Sequence, residues 1–171
     1  MQALIANTEF RHLPLAVLVV YVPFHLLEEA LGDFPAWLTE MYHLPVILSY
    51  PHWLLNNLAF IIVLTSGYCL YRKRPETHLA LGVGLLIWAF MNGAEHLFGS
   101  IISRQLSPGS FSSVVFILIA ILGFTRLKLA GVLHSRLIYW SLAAGVGYWI
   151  IPFGIILLMG NTLLAAFPSG R

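Results

Sequence analysis

Residues 21–32 read Tyr21-Val22-Pro23-Phe24-His25-Leu26-Leu27-Glu28-Glu29-Ala30-Leu31-Gly32, at the end of an apolar run that begins near His12. A charged side chain at mid-helix in a membrane costs roughly 2.5–3.5 kcal/mol, less toward either face. A histidine and two adjacent glutamates in such a run therefore need protonation, a polar partner or a metal. Successive helical residues are about 100° apart. Glu28 and Glu29 then flank His25 on one face, with Tyr21 and Gly32 on the same stripe, while Leu26, Leu27, Ala30 and Leu31 make an apolar side. The spacing predicts a helix with a polar face toward protein and an apolar face toward lipid or core.

The rest of the chain has the same character. Of its 171 residues 59% are hydrophobic and 9% charged, against about 25% charged in globular chains. That excludes an ordinary soluble protein. A net charge of +2 without a basic patch gives no ground for a nucleic-acid partner. One cysteine, Cys69, rules out an internal disulfide. The first apolar run is long, acidic and followed by no small-x-small site, so it reads as a retained span and not a cleaved signal. Runs of about 18 or more apolar residues recur, the length that crosses a bilayer. The expected fold is an all-α integral membrane protein: one transmembrane helical domain, 1–171, of about five helices. The approximate spans are 12–31, 51–71, 78–103, 108–127 and 134–160.

Local signals refine those spans. Pro23 is expected to kink the first, and a polar start precedes it over residues 1–11. The 33–50 loop, with Phe34-Pro35, Trp37 and Pro45, is expected at the interface. Ser107-Pro108 reads as an N-cap followed by a first-turn proline. Pro152-Phe153-Gly154 predicts a break in the last span, and residues 161–171 a frayed end. Five spans place Arg11, Arg72, Lys73, Arg74, Arg126, Lys128 and Arg136 on one side, with Arg104 and Arg171 on the other. Basic residues favour the cytoplasmic face. The N-terminus is then cytoplasmic and the polar site lies in the outer half of the membrane, the cell (inner) membrane in a bacterium.

The third span repeats the geometry of the first. Trp88, Asn92, Glu95, His96, Gly99 and Ser103 share one face. Facing each other, the two helices would present His25, Glu28, Glu29, Glu95 and His96, with Gly32 and Gly99 permitting close approach. Two imidazoles and several carboxylates suit zinc first, with iron or manganese as alternatives. One glutamate would complete a single site with the two histidines and another would act as base to a bound water; all five would serve a two-metal site. Glu28, Glu29, Asn57 and Asn92 are the candidate catalytic residues. The amino end of the fourth span, with Ser110 and Asn57, could hold an anionic group or developing oxyanion, and Asn56 and Asn57 could equally support the glutamates or bond helix to helix.

Plainer readings stand beside these. The five ionisable groups could be a structural hydrogen-bonded cluster or part of a proton or ion path. His12, His43, His52, His78 and His134 lie near membrane ends and read as interfacial, His52 alone as a possible outer-shell group. Trp140, Tyr148 and Trp149 read as packing or belt residues. Arg104 could pair with an acidic loop residue or a substrate head group.

His25-Leu26-Leu27-Glu28-Glu29, followed by Phe34-Pro35, an asparagine in the second span, Asn92-x-x-x-His96 and Ser107-Pro108-Gly109, resembles a family of small integral membrane proteins named after an HxxEE motif. The resemblance runs to about residue 120 and implies that His25, Glu28, Glu29, Asn57, Asn92 and His96 are the positions that matter; it implies no activity. The functional expectation is a metal-dependent intramembrane enzyme. The simplest form is a hydrolase, or an oxygenase if the ion is iron, acting on a lipid-like or small hydrophobic substrate. Its partners would be membrane lipid and possibly a second copy of the chain. A proton- or ion-coupled transporter, or a non-catalytic membrane subunit, are the alternatives.

Overall fold

The protein, seen as a computed structural model, is described over residues 8–41, 43 and 49–166, without the side chains of 8, 9, 153 and 155–166. Every described element is helical. The first span comprises α1 (Thr8–Val19), a π-helical turn (Val20–His25) and α2 (Leu26–Leu31). Pro23 has no N–H to donate, so the regular ladder cannot pass through it. The chain answers with a wider turn: Leu26 N–H reaches back five residues to Tyr21 O. The kink expected at Pro23 thus takes the form of a π bulge, a device frequent at functional sites.

After a left-handed Asp33 (φ 52°), the short α3 (Phe34–Met41) follows. Pro45 lies outside the described residues. α4 (Tyr50–Lys73) starts with proline in its first turn and ends on Arg72 and Lys73. α5 (Pro75–Ser103) follows after one residue, so the two helices form an antiparallel pair. α5 is the hub: Leu85, Leu86 and Ala89 on it have no exposed surface. Its Gly84 faces Ala144 and Gly145 of α7 (Ser135–Ala166), where a Cβ would come within 2.7 Å of the Ala144 Cβ. α6 (Ser110–Leu129) ends as helices commonly do: Gly131 is left-handed (φ 64°) and Val132 N–H returns to Leu127 O at 3.1 Å.

Four helices among the described residues are long and apolar enough to cross a membrane: Phe10–Leu31, Tyr50–Lys73, Pro75–Ser103 and Ser110–Leu129. Their outward faces are apolar, as with Leu54, Leu58 and Ile62, one turn apart on α4 and all about half exposed. A solvated helix would show polar residues there; these faces suit lipid. The chain is an all-α bundle of membrane-protein character.

Four local expectations are corrected. The fourth span begins at Ser110, not near Pro108, because Gly109 takes φ 96° and ends the preceding turn. α7 runs unbroken through Pro152 to Ala166; prolines inside membrane helices are tolerated where neighbours or local adjustments satisfy the freed carbonyl. The frayed end expected over 161–171 is thus helical to 166; residues 167–171, like 1–7, lie outside the described residues. Gly32 and Gly99 do not face each other. Gly32 lies against Pro108 and Gly99 against Trp37 of α3.

Candidate metal centre

The π turn and α2 carry His25 and Glu29 four residues apart on one face, and α5 brings His96 opposite. Glu29 Oε1 stands 3.5 Å from His25 Nε2 and 3.4 Å from His96 Nε2. All three side chains are at least 95% buried, and the three ligand atoms lie within 4.8 Å of one another. These separations are long for hydrogen bonds. They match the edge of a coordination tetrahedron, since nitrogen and oxygen ligands 2.0–2.2 Å from an ion stand roughly 3.3–3.6 Å apart.

The far side of each ring is fixed by a serine. His25 Nδ1 lies 2.7 Å from Ser112 Oγ, and His96 Nδ1 lies 2.9 Å from Ser107 Oγ. Ser112 Oγ donates to Glu28 Oε2 at 2.6 Å and Ser107 Oγ to Pro108 O at 3.2 Å. With its proton committed to the carboxylate, Ser112 Oγ accepts from His25 Nδ1, and Ser107 Oγ pairs with His96 Nδ1 in the same place. His25 then carries its proton on Nδ1, and both rings turn Nε2 toward Glu29, the orientation metal-binding histidines take. His25 Nε2 is fully buried without a hydrogen-bond partner. An orphaned nitrogen in such a place fits an ion better than a packing role. Gly109 makes the geometry possible: any Cβ there would fall 2.8 Å from His25 Cε1 and 2.9 Å from His96 Cε1.

The second oxygen of Glu29 is held from α4. Trp53 Nε1 donates to Oε2 at 3.1 Å. Asn57 braces that residue, donating to Trp53 O at 3.0 Å and accepting from Tyr21 O–H at 2.6 Å. Asn57 thus supports the tryptophan that holds the carboxylate.

Glu28 goes elsewhere. Its oxygens accept from Phe111 N at 2.8 Å, Ser112 N at 3.0 Å and Ser112 Oγ. These are unpaired donors of the first turn of α6, where a carboxylate is doubly favoured by hydrogen bonding and by the helix dipole. The amino end of α6 is therefore filled by the chain's own glutamate. Ser110 Oγ is likewise used locally, donating to Ser107 O at 2.6 Å.

The trio opens on a cavity of about 250 Å³. Glu95 and Asn92 line it from α5, Asn56, Asn57 and His52 from α4. Glu95 stands outside the three-atom cluster. Of the five candidate ligands, then, the fold gathers His25, Glu29 and His96, places Glu95 in the adjoining wall and turns Glu28 to a helix end. Trp149 also lines the cavity, while Tyr148 donates to Leu81 O at 3.1 Å. Arg104 is exposed at the end of α5.

The description "protein of unknown function with HXXEE motif" belongs to a family that matches residues 16–123, well over half of the chain. The chain belongs to the HXXEE family. No curated protein and no solved structure matches it. The spacing of the HXXEE motif acquires a physical meaning here. Its histidine and second glutamate sit one helical turn apart and converge on the buried trio, and its first glutamate fastens α6 beside them. Two participants lie outside the motif and were missed in the sequence. Trp53 could have been suspected as a polar-tipped ring one turn before Asn57. Ser112 is one of three serines opening α6, and nothing local distinguishes it from Ser113.

Proposed function

We propose that this HXXEE protein is a metal-dependent membrane enzyme, most simply a hydrolase, acting on a lipid-like or lipid-soluble substrate. The observation that carries this reading is the convergence of His25 Nε2 and His96 Nε2 on Glu29 Oε1, at 3.5 and 3.4 Å, beside a cavity. Zinc suits two nitrogens and one carboxylate with a fourth position left open; iron or manganese would suit the same donors. A divalent ion held there supplies Lewis acidity and lowers the pKa of bound water.

The chain's own groups do the rest. Ser112 and Ser107 hold the imidazoles and Trp53 holds the carboxylate. Glu95, next to His96 and facing the same cavity, is the group in place to take and return a proton during reaction. Asn92 lines the wall beside it, where an amide can orient a substrate carbonyl or hydroxyl. The arginine and lysine distribution supports setting this end of the bundle toward the outer leaflet. What supports an enzyme over a carrier is the fully buried packing of Leu64, Leu85, Leu86 and Phe116, which have no exposed surface.

The test is elemental analysis of the chain purified in detergent, with the His25→Ala, His96→Ala and Glu29→Gln variants. One equivalent of zinc, iron or manganese in wild type, lost in all three, is expected. A wild-type chain that neither carries these ions nor takes them up on titration overturns the reading.

A further inference from the structure

Beyond the three ligand atoms, the cavity has a definite charge character. Its remaining polar side chains are Glu95, four amides or imidazoles (Asn56, Asn57, Asn92, His52) and the hydrogen-bonding edges of aromatic rings. Among the described residues no lysine or arginine lines it. Arg72 and Lys73 stand at the opposite end of α4, and Arg126 and Lys128 at the opposite end of α6. Two polar groups in the wall are more than nine-tenths buried or nearly so and have no hydrogen-bond partner among the described residues: Trp88 Nε1, a donor, and Asn92 Oδ1, an acceptor.

A divalent ion with Glu29 and Glu95 sums to no net formal charge. An anionic group entering would meet two carboxylates and no side-chain cation, and a cationic one would lie beside the ion. Burying either without a counter-charge costs several kcal/mol. A hydroxyl, ester or amide meets amide, indole and imidazole partners instead. The volume admits about eight to twelve non-hydrogen atoms, at roughly 20–30 Å³ each; a whole phospholipid does not fit. We propose that the reacting end of the substrate is uncharged, the alcohol, ester or amide terminus of a membrane-dissolved molecule whose remaining chain stays in lipid. This deepens the metalloenzyme reading and rests on it, since the ion's charge is what balances Glu29 and Glu95.

The experiment uses the full chain in detergent and bromine-tipped octanol, octanoate and octylammonium as probes. Bromine quenches the fluorescence of Trp53 and Trp88 in the cavity wall, and only quenching that unlabelled octanol displaces counts as binding. The alcohol is expected to bind at least about tenfold more tightly than either ion, a difference of about 1.4 kcal/mol. In Asn56→Lys the octanoate should gain at least about tenfold relative to the alcohol; the wild-type comparison decides alone if that variant does not fold. Octanoate or octylammonium binding wild type as tightly as the alcohol overturns the inference. Metal content is measured on the same samples and on His96→Ala. A wild-type chain without any metal would sink the metalloenzyme reading and, with it, the charge balance argued here; a stoichiometric metal without alcohol preference overturns this inference alone and leaves the metalloenzyme reading standing.

Discussion

Replacing Gly109 with alanine should damage the proposed metal site, and the structure sets the size of the effect. Gly109 has φ 96°, a conformation that costs an L-residue roughly 1–2 kcal/mol. The added Cβ would also lie 2.8 Å from His25 Cε1, 2.9 Å from His96 Cε1 and 3.0 Å from His96 Nδ1. Carbon atoms rest about 3.5–4.0 Å apart, so each ring must retreat by about 0.6–1 Å, whereas metal–ligand distances hold to about 0.2 Å. Gly131 is the matched control: φ is 64° and nothing lies within 4 Å of its Cβ position. Gly131→Ala should lose about 1–2 kcal/mol of stability and keep wild-type metal affinity. Gly109→Ala should lose that strain plus about 1–3 kcal/mol of overpacking, and bind metal at least about 100-fold more weakly, close to 2.7 kcal/mol. The assay is competition with a chromogenic chelator, alongside denaturation of the metal-free proteins. Metal affinity in Gly109→Ala within a few-fold of wild type would refute the placement of the two imidazoles.

Further outcomes follow from the same contacts. Ser112→Ala removes the group holding His25 Nδ1 and should weaken metal binding about 10–100-fold, while Ser113→Ala, whose hydroxyl donates only to Gly109 O, should leave it unchanged in the same chelator titration. Trp53→Phe leaves Glu29 Oε2 without its donor and should lower stability by about 1.5–3 kcal/mol, read by denaturation in detergent; no loss would remove Trp53 from the site. Glu28→Ala strips the cap from α6 and should cost about 0.5–2 kcal/mol. Hydrogen exchange should rise at Phe111 and Ser112, and unchanged protection there would contradict the capping role.

How much of this was legible in the sequence depends on the range of each interaction. His25 and Glu29 are one turn apart, so helical periodicity alone puts them together, and His96 follows from the same depth argument applied to α5. The all-helical, membrane-spanning character came from runs of apolar residues, a signal that needs no partner, and four of the five expected spans are long and apolar enough to cross a membrane among the described residues. What escaped was long-range. The pull of α6 on Glu28 depends on Ser110 starting the helix, and that start depends on Gly109 adopting a positive φ that Ser107-Pro108 disguised as an ordinary cap. Glu28 and Glu29, equivalent by spacing, are separated only by what surrounds them. Trp53 was invisible because a tryptophan near the end of a membrane span already has a sufficient explanation in the interface belt. Pro152 misled because a proline that ends a solvated helix need not end a buried one.

The cap on α6 comes from a residue 83 positions earlier, and this has a consequence for how the protein is made. At 5–20 residues per second, roughly 4–17 s separate the synthesis of Glu28 from that of Phe111. Through that interval Glu28 lacks its hydrogen-bond donors and His25 lacks Ser112, because those partners have not yet been made. A segment in that state is poorly suited to enter lipid alone. Its polar face is completed only when α5 and the start of α6 have been made, so the first span reaches its folded surroundings late in synthesis.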